Sequence, residues 1–268
     1  MPELPDLEVI RESLSEKVCD RPIHRVEVLN PLVLRCPIER LTRDVPGQAI
    51  SAVGRRGKFL ILDISVDGHV VFHPMLSGRF QYCPSGEKKL SQLCLRLTLA
   101  GDHDLRYLDR RRMGRIYWVT GSDFSTIPQF AQLGPEADDP SLDLETFRAR
   151  IRRYRGMIKN VLTNQRFVAG IGNAYADEIL FAAGIRPFRS RSSLTPEELA
   201  RLHRAIGAVL SWATDEIRRR MGGKLHQEIR DFLKVHRRGG QACVVCGGRI
   251  SEVAPNRRLT SFCRTCQR

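Results

Sequence analysis

Apolar and polar positions keep two different rhythms along this chain, and the change from one to the other divides it. Over residues 5–18, Leu7, Ile10, Leu14 and Val18 recur on one helical face, and Pro5 suits a first helical turn. Residues 23–119 then carry short alternating or continuous apolar stretches: IHRVEVL, FLILDI, HVVFH, LCLRLTL and RIYWV, parted by turns such as PSG. This predicts an all-β domain, a sandwich, with one long helix leading in. A stretch rich in Pro, Gly, Ser and Asp follows. Beyond it the period becomes helical through LETFRARIRRYRG, MIKNVLTNQ, NAYADEILFAAG and TPEELARLHRAIGAVLSWATDEIRRRM, the last with Thr195 as N-cap ahead of Pro196 and Glu198. The C-terminal residues predict short strands around cysteines.

The expected fold class is therefore α+β and multi-domain. The expected divisions are 1–120 (leading helix and β-sandwich), 121–141 (linker), 142–232 (helical) and 233–268 (cysteine-bearing β-hairpin). No apolar run approaches the roughly 18 residues of a membrane span, and no targeting segment is visible, so a soluble cytoplasmic protein is expected.

Charge sharpens this picture. Forty-four Lys and Arg against thirty Asp and Glu give a net charge of +14 and a pI near 9.9. Such a balance points to a polyanionic partner, although a basic surface serving solubility alone remains open at this stage.

Four of the eight cysteines, Cys19, Cys36, Cys83 and Cys94, are scattered like small core residues. The others form Cys243-x2-Cys246-x16-Cys263-x2-Cys266. Two CxxC knuckles joined by a short hairpin supply four thiolates for one tetrahedral Zn²⁺, with no open ligand position, so the metal is structural. The segment 232–268 holds eight basic residues against the single acid Glu252, and the loop between the knuckles carries Asn256, Arg257 and Arg258. A basic hairpin of this kind suits insertion into a nucleic-acid groove, against the alternative of a solvated module.

Gly170-Ile171-Gly172-Asn173 joins two helical segments. Such a turn can aim backbone N–H groups at a phosphate, with Asn173 and Lys159 nearby, or it can simply pack two helices. The upstream RARIRRYR, with five arginines in eight residues, favours the DNA backbone. At the other end, MPELPD suits neither a strand nor a secretory signal. Removal of Met1 would leave Pro2 with a free secondary amine.

Taken in order, MPELP, RRGKFLIL at 55–62, the H..LSG element at 73–78, Asp109-Arg-Arg to Gly114, GIGNAYADEILFAAGI at 170–185 and the terminal cysteines resemble the formamidopyrimidine-DNA glycosylase/endonuclease VIII family of DNA repair enzymes. The resemblance spans essentially the whole chain, and Leu4 favours the formamidopyrimidine branch. It implies a helix-two-turn-helix in the helical domain, a C-terminal zinc finger, and a monomer acting on damaged double-stranded DNA, associated with the nucleoid in a bacterium. It implies a glycosylase with β,δ-lyase activity that works through a Schiff base on Pro2. Glu3 matches the family's acid and Lys58 its catalytic-site lysine. Lys159, Asn173 and Arg258 match phosphate-binding positions. Leu76, Arg111 and Met113 match the three void-filling positions, and Asp6 a lesion-pocket carboxylate. The physical chemistry agrees for Pro2, because an α-amine is about two units less basic than lysine and more of it is neutral near pH 7.

Several residues depart from the family pattern. Leu76 and Met113 replace the usual Met and Phe, Asp6 replaces Glu, and His236-Arg237 replaces Tyr-Gly. The stretch 221–243 is also short where purine-specific relatives carry a lesion-capping loop. A lesion preference shifted away from 8-oxoguanine is expected. Two other classes compete: a non-catalytic damaged-DNA or abasic-site binder on the same scaffold, and a zinc-ribbon RNA-binding factor.

Overall fold

The computed structural model describes residues 1–64, 67–254 and 258–268. Asn256 and Arg257, expected at the hairpin tip, lie outside the described residues. Two compact units emerge: Met1–Ala131 with Ile217–Ile229, and Gln132–Glu216 with Arg230–Arg268.

The first unit opens with helix α1, Leu4–Val18, whose Leu7, Ile10, Leu14 and Val18 are all buried, as their spacing predicts. Strand β1 (Ile23–Val28) and a short helix α2 (Ile38–Asp44) follow. Seven more strands complete the unit: β2 (Ile50–Arg56), β3 (Phe59–Ile64), β4 (Gly68–His73), β5 (Gly78–Pro84), β6 (Leu93–Leu99), β7 (His103–Asp109) and β8 (Arg115–Thr120). They form two antiparallel four-stranded sheets, ordered β1-β6-β7-β5 and β2-β3-β4-β8. The sheets meet through Phe72 of β4, whose ring lies 5.2 Å from Phe80 of β5 and 5.5 Å from Tyr107 of β7. The expected sandwich with a leading helix is present. The apolar pattern missed α2 and the more polar strands β2, β5 and β7, which alternate buried and half-exposed positions or bury charges. Arg106 is the plainest case: it is fully buried in β7 and held by Asp104 at 2.9 Å.

The segment after β8 is less loose than its composition suggests. Ile127 is buried, and Phe130 packs edge-on against Phe59 at 5.1 Å. Of the scattered cysteines, Cys83 and Cys94 are buried as expected, whereas Cys19 and Cys36 are half-buried.

The second unit contains α3 (Leu144–Ile151), α4 (Ile158–Leu162), α5 (Asn173–Ala183) and most of α6 (Pro196–Met221). It also contains the hairpin β9 (Ile250–Val253) and β10 (Thr260–Cys263). Thr195 caps α6 as expected. Its hydroxyl accepts from the Glu198 N–H at 3.2 Å, and its own N–H donates to the Glu198 carboxylate at 2.9 Å. Gly184 ends α5 in the left-handed conformation, φ +69°. Among the described residues no helix is long and apolar enough to cross a membrane.

Candidate functional site

Five groups of sequence-predicted residues can be built up from the elements that carry them. The first lies at the start of α1. Glu3 is the N-cap, and its backbone N–H donates to the Asp6 carboxylate at 2.8 Å in a reciprocal capping box. Pro2, Glu3 and Asp6 are all buried. Glu3 and Asp6 are thus brought together, and Asp6 is engaged with the backbone of the chain start. The ammonium of Met1 lies 3.5 Å from Glu228, a carboxylate that also pairs with Arg79 at 3.1 Å.

Lys58 sits in the tight turn between β2 and β3, beside Gly57 at φ +56°. It is only 6% exposed, which removes the reading of a solvated hairpin lysine. The turn is tied to α1 because Arg55 donates to Glu8 at 2.7 Å. His73, at the end of β4, shares this edge, its ring 4.6 Å from that of Phe59. Desolvation, then the charges of Lys58 and Arg115, push its pKa down to about 4, so it is neutral near pH 7. Its Nδ1 accepts from the Met75 N–H at 3.2 Å, which leaves the ring proton on Nε2.

Leu76, Arg111 and Met113 stand on two neighbouring loops and are exposed, Leu76 by 42% and Met113 by 37%. Asp109 holds these loops together. Its buried carboxylate accepts from the Ser77 hydroxyl, from the Arg111 N–H at 3.0 Å and from the Gly114 N–H at 2.6 Å. Gly114 is required here: a Cβ would fall 1.8 Å from the Tyr107 hydroxyl oxygen.

The second unit carries the remaining residues. Lys159 is buried and pairs with Asp177 at 2.6 Å, while its Nζ donates to the Leu259 carbonyl at 2.9 Å and to Thr260 Oγ1 at 2.8 Å. Asn173 donates to the same carbonyl at 2.6 Å. Both therefore grip the start of β10, next to Arg258, which is exposed. The glycine turn before α5 is held by Gln165, whose side chain accepts from the Gly170 N–H at 3.0 Å and donates to the Ile171 carbonyl at 2.8 Å. Two residues of α5 lock the segment that follows α6. Glu178 accepts from the N–H groups of Lys234, Val235 and His236, and Asp177 pairs with His236 Nδ1 at 2.8 Å. Burial raises the Glu178 pKa, opposed by those three donors.

Cys243, Cys246, Cys263 and Cys266 converge so that their sulfur atoms all lie within 4.8 Å of one another. The Cys243–Cys266 and Cys246–Cys263 separations are 3.8 and 3.5 Å, far too long for disulfides. A tetrahedron of ~2.3 Å metal–thiolate bonds has edges of about 3.8 Å, so the donor set fits one metal ion. Val235, Ile250 and Phe181 pack around it.

Comparison with known proteins decides the family. The model of the formamidopyrimidine-DNA glycosylase N-terminal domain matches residues 1–116, and that of the formamidopyrimidine-DNA glycosylase H2TH domain matches residues 133–234. A formamidopyrimidine-DNA glycosylase of Moorella thermoacetica is 38% identical across 94% of both chains. The chain belongs to the formamidopyrimidine-DNA glycosylase family. A second relative of that name, from Pelotomaculum thermopropionicum, is 33% identical over 100% of this chain and 99% of its own. Among solved structures, the Lactococcus lactis family member bound to FAPY-dG-containing DNA superposes with a TM-score of 0.90 at 28% identity, over 99% of this chain and 100% of that one. The same protein bound to DNA with an oxidised pyrimidine gives 0.90 at 29% identity, over 100% of both chains.

Within this family member, residue-by-residue reading left several residues without a role. His73 and Asp109 fell inside quoted motifs, yet nothing local shows that one is a neutral donor and the other a loop tie. Asp177 and Glu178 looked like ordinary helix acids, because the segment 234–236 that they lock lies more than fifty residues away.

Proposed function

We propose that this protein is a base-excision DNA glycosylase with abasic-site lyase activity, acting on damaged double-stranded DNA through the amine of Pro2 after Met1 is removed. The observation that carries this reading is the arrangement at the chain start. Pro2 is buried directly before the N-cap of α1, where the Asp6 carboxylate accepts from the Glu3 backbone N–H and the Glu3 side chain is buried in the same capping box. The positive end of the helix favours a neutral amine, and proline's fixed φ limits the motion of its nitrogen.

In this reaction the Pro2 nitrogen bonds to the sugar C1′ as the bond to the damaged base breaks; the base leaves with its electron pair and takes up a proton, and the Pro2 nitrogen sheds its own N–H proton, so the two transfers balance. Glu3 donates a proton to the ring oxygen, the sugar opens, and a cationic imine remains on Pro2. That imine accepts electrons as the C2′ proton is removed and the 3′ phosphate departs. Loss of the 5′ phosphate follows in the same way. Lys58 and the Nε2–H of His73 would hold the phosphate beside the lesion. Leu76 and Met113 would wedge the gap in the base stack, and Arg111 would bond the orphaned base. Lys159 and Asn173 would act by holding β10 so that Arg258 meets the backbone. The four cysteines would hold one structural Zn²⁺ that stabilises the C-terminal hairpin. Such an enzyme would work in the cytoplasm, at the DNA.

The lesion preference is proposed to lie away from 8-oxoguanine, toward formamidopyrimidines, oxidised pyrimidines or bulkier adducts. Asp6 is shorter than the usual Glu and already bonds the chain start, and 221–243 is short. Borohydride trapping on duplexes bearing an abasic site, 8-oxoguanine, a formamidopyrimidine or dihydrouracil, followed by peptide mass spectrometry, tests the whole reading. Adducts on Pro2 are expected, strongest with the formamidopyrimidine or dihydrouracil. Absence of any adduct from protein lacking Met1 would leave only a DNA-binding scaffold.

A further inference from the structure

Arg237 holds an unfavourable backbone conformation at an exposed position. The Arg238 N–H donates to the Val235 carbonyl at 3.0 Å, closing a four-residue turn in which Arg237 stands third with φ +59°. Glycine and asparagine are the ordinary occupants of such a position, since a larger side chain crowds the backbone there. The turn is rigid on both sides. Glu178 binds the three N–H groups preceding it, and the Arg237 N–H donates to Ser261 Oγ at 3.1 Å. Among the described residues the guanidinium has no hydrogen-bond or ion-pair partner.

Its neighbours are differently placed. The charge of Lys159 is answered by Asp177, and Arg238 donates to the carbonyls of Leu233 and Asp231. Lys234 lies over the Trp212 ring at 4.8 Å. Ser261 follows directly on Leu259 and Thr260, the residues that Lys159 and Asn173 grip, and Arg258 precedes them. Among the described residues, the outward positive charge at this end of β10 thus rests on Arg258 and Arg237.

We propose that Arg237 is a DNA-backbone ligand whose guanidinium takes a phosphate alongside Arg258, and whose left-handed backbone is retained for the direction it gives that side chain. This rests on the DNA-repair reading above.

The test compares full-length wild type with Arg237→Gln and Arg237→Gly by fluorescence anisotropy on a duplex carrying a tetrahydrofuran abasic analogue, across a salt series, together with thermal melting. Both variants should bind about three- to tenfold more weakly at ~0.1 M salt, and the slope of log affinity against log salt should shrink by about one. Arg237→Gly should in addition melt a few degrees higher, and Arg237→Gln should not. An unchanged salt slope in both variants, with wild type binding and cleaving normally, overturns this inference alone. A reduced slope without Pro2 trapping in wild type overturns the glycosylase reading and upholds Arg237 as a DNA ligand. Failure of wild type to bind the duplex overturns both.

Discussion

Ser77 donates its hydroxyl to the buried carboxylate of Asp109 and accepts from the Arg111 N–H at 3.2 Å, and these two bonds join the loop bearing Leu76 to the loop bearing Arg111 and Met113. Because Asp109 also accepts from two backbone N–H groups, three donors depend on one side chain. Asp109→Ala should leave the buried Gly114 N–H and the Ser77 hydroxyl without this acceptor, the Arg111 N–H keeping only Ser77 Oγ, and destabilise the first unit by about 3 kcal/mol in urea unfolding. Asp109→Asn should also weaken it, because the new amide would face the Gly114 N–H donor with a donor of its own. Strand cleavage should fall in both variants more than the loss of folded protein explains, since Leu76, Arg111 and Met113, proposed to fill the gap in the base stack, lose their common anchor.

Two glycines should respond in opposite directions. Gly114→Ala would place a Cβ 1.8 Å from the oxygen of the buried Tyr107 and should prevent normal folding of the sandwich. Gly207, exposed in the middle of α6, has nothing within 4 Å of the added Cβ. Gly207→Ala should therefore stabilise by roughly 0.5–1 kcal/mol, the helix-propensity difference, read by chemical denaturation.

His73 should impose an acid limit on stability. Its pKa is about 4 in the folded chain against 6.5 for the unperturbed group, so between these values the unfolded chain takes up the proton more readily. The stability it contributes is complete above pH 6.5 and is lost as the pH falls toward 4. The loss amounts to about 3 kcal/mol. His73→Asn keeps an acceptor for the Met75 N–H and should flatten the stability profile between pH 4 and 6.5.

Lys159 and Asp177 form a buried pair. Lys159→Met should cost about 3 kcal/mol by stranding the Asp177 charge. Hydrogen exchange should show faster opening of β10, because Leu259 and Thr260 lose their shared donor. A lysine that met DNA from the surface would instead leave exchange unchanged and alter only the salt dependence of binding.

Purified protein should contain one zinc per chain by elemental analysis. Removal by a strong chelator should open residues 233–268 to protease while the sandwich stays protected, because the small apolar cluster around the cysteines is too limited to order the hairpin alone.

Much of this architecture was legible in the chain itself. Helical spacing of Leu7, Ile10, Leu14 and Val18, the continuous apolar runs of β3 and β6, the Thr195–Glu198 cap and the two CxxC knuckles each depend on neighbours a few residues away, and local pattern reports local preference. The motifs at 2–6, 55–62 and 170–185 likewise placed the candidate chemistry through resemblance. Tertiary structure decided what those residues touch. Lys58 is buried rather than solvated, His73 is a neutral donor, and Asp109 ties two loops. Lys159 serves β10, and Arg237 is held left-handed by contacts from α5 and Ser261. Each outcome depends on partners brought together from distant parts of the chain, where desolvation and the loss of competing water set the strength of every polar contact. A sequence records which groups are available for such contacts; only the folded chain selects the partners and removes the water between them.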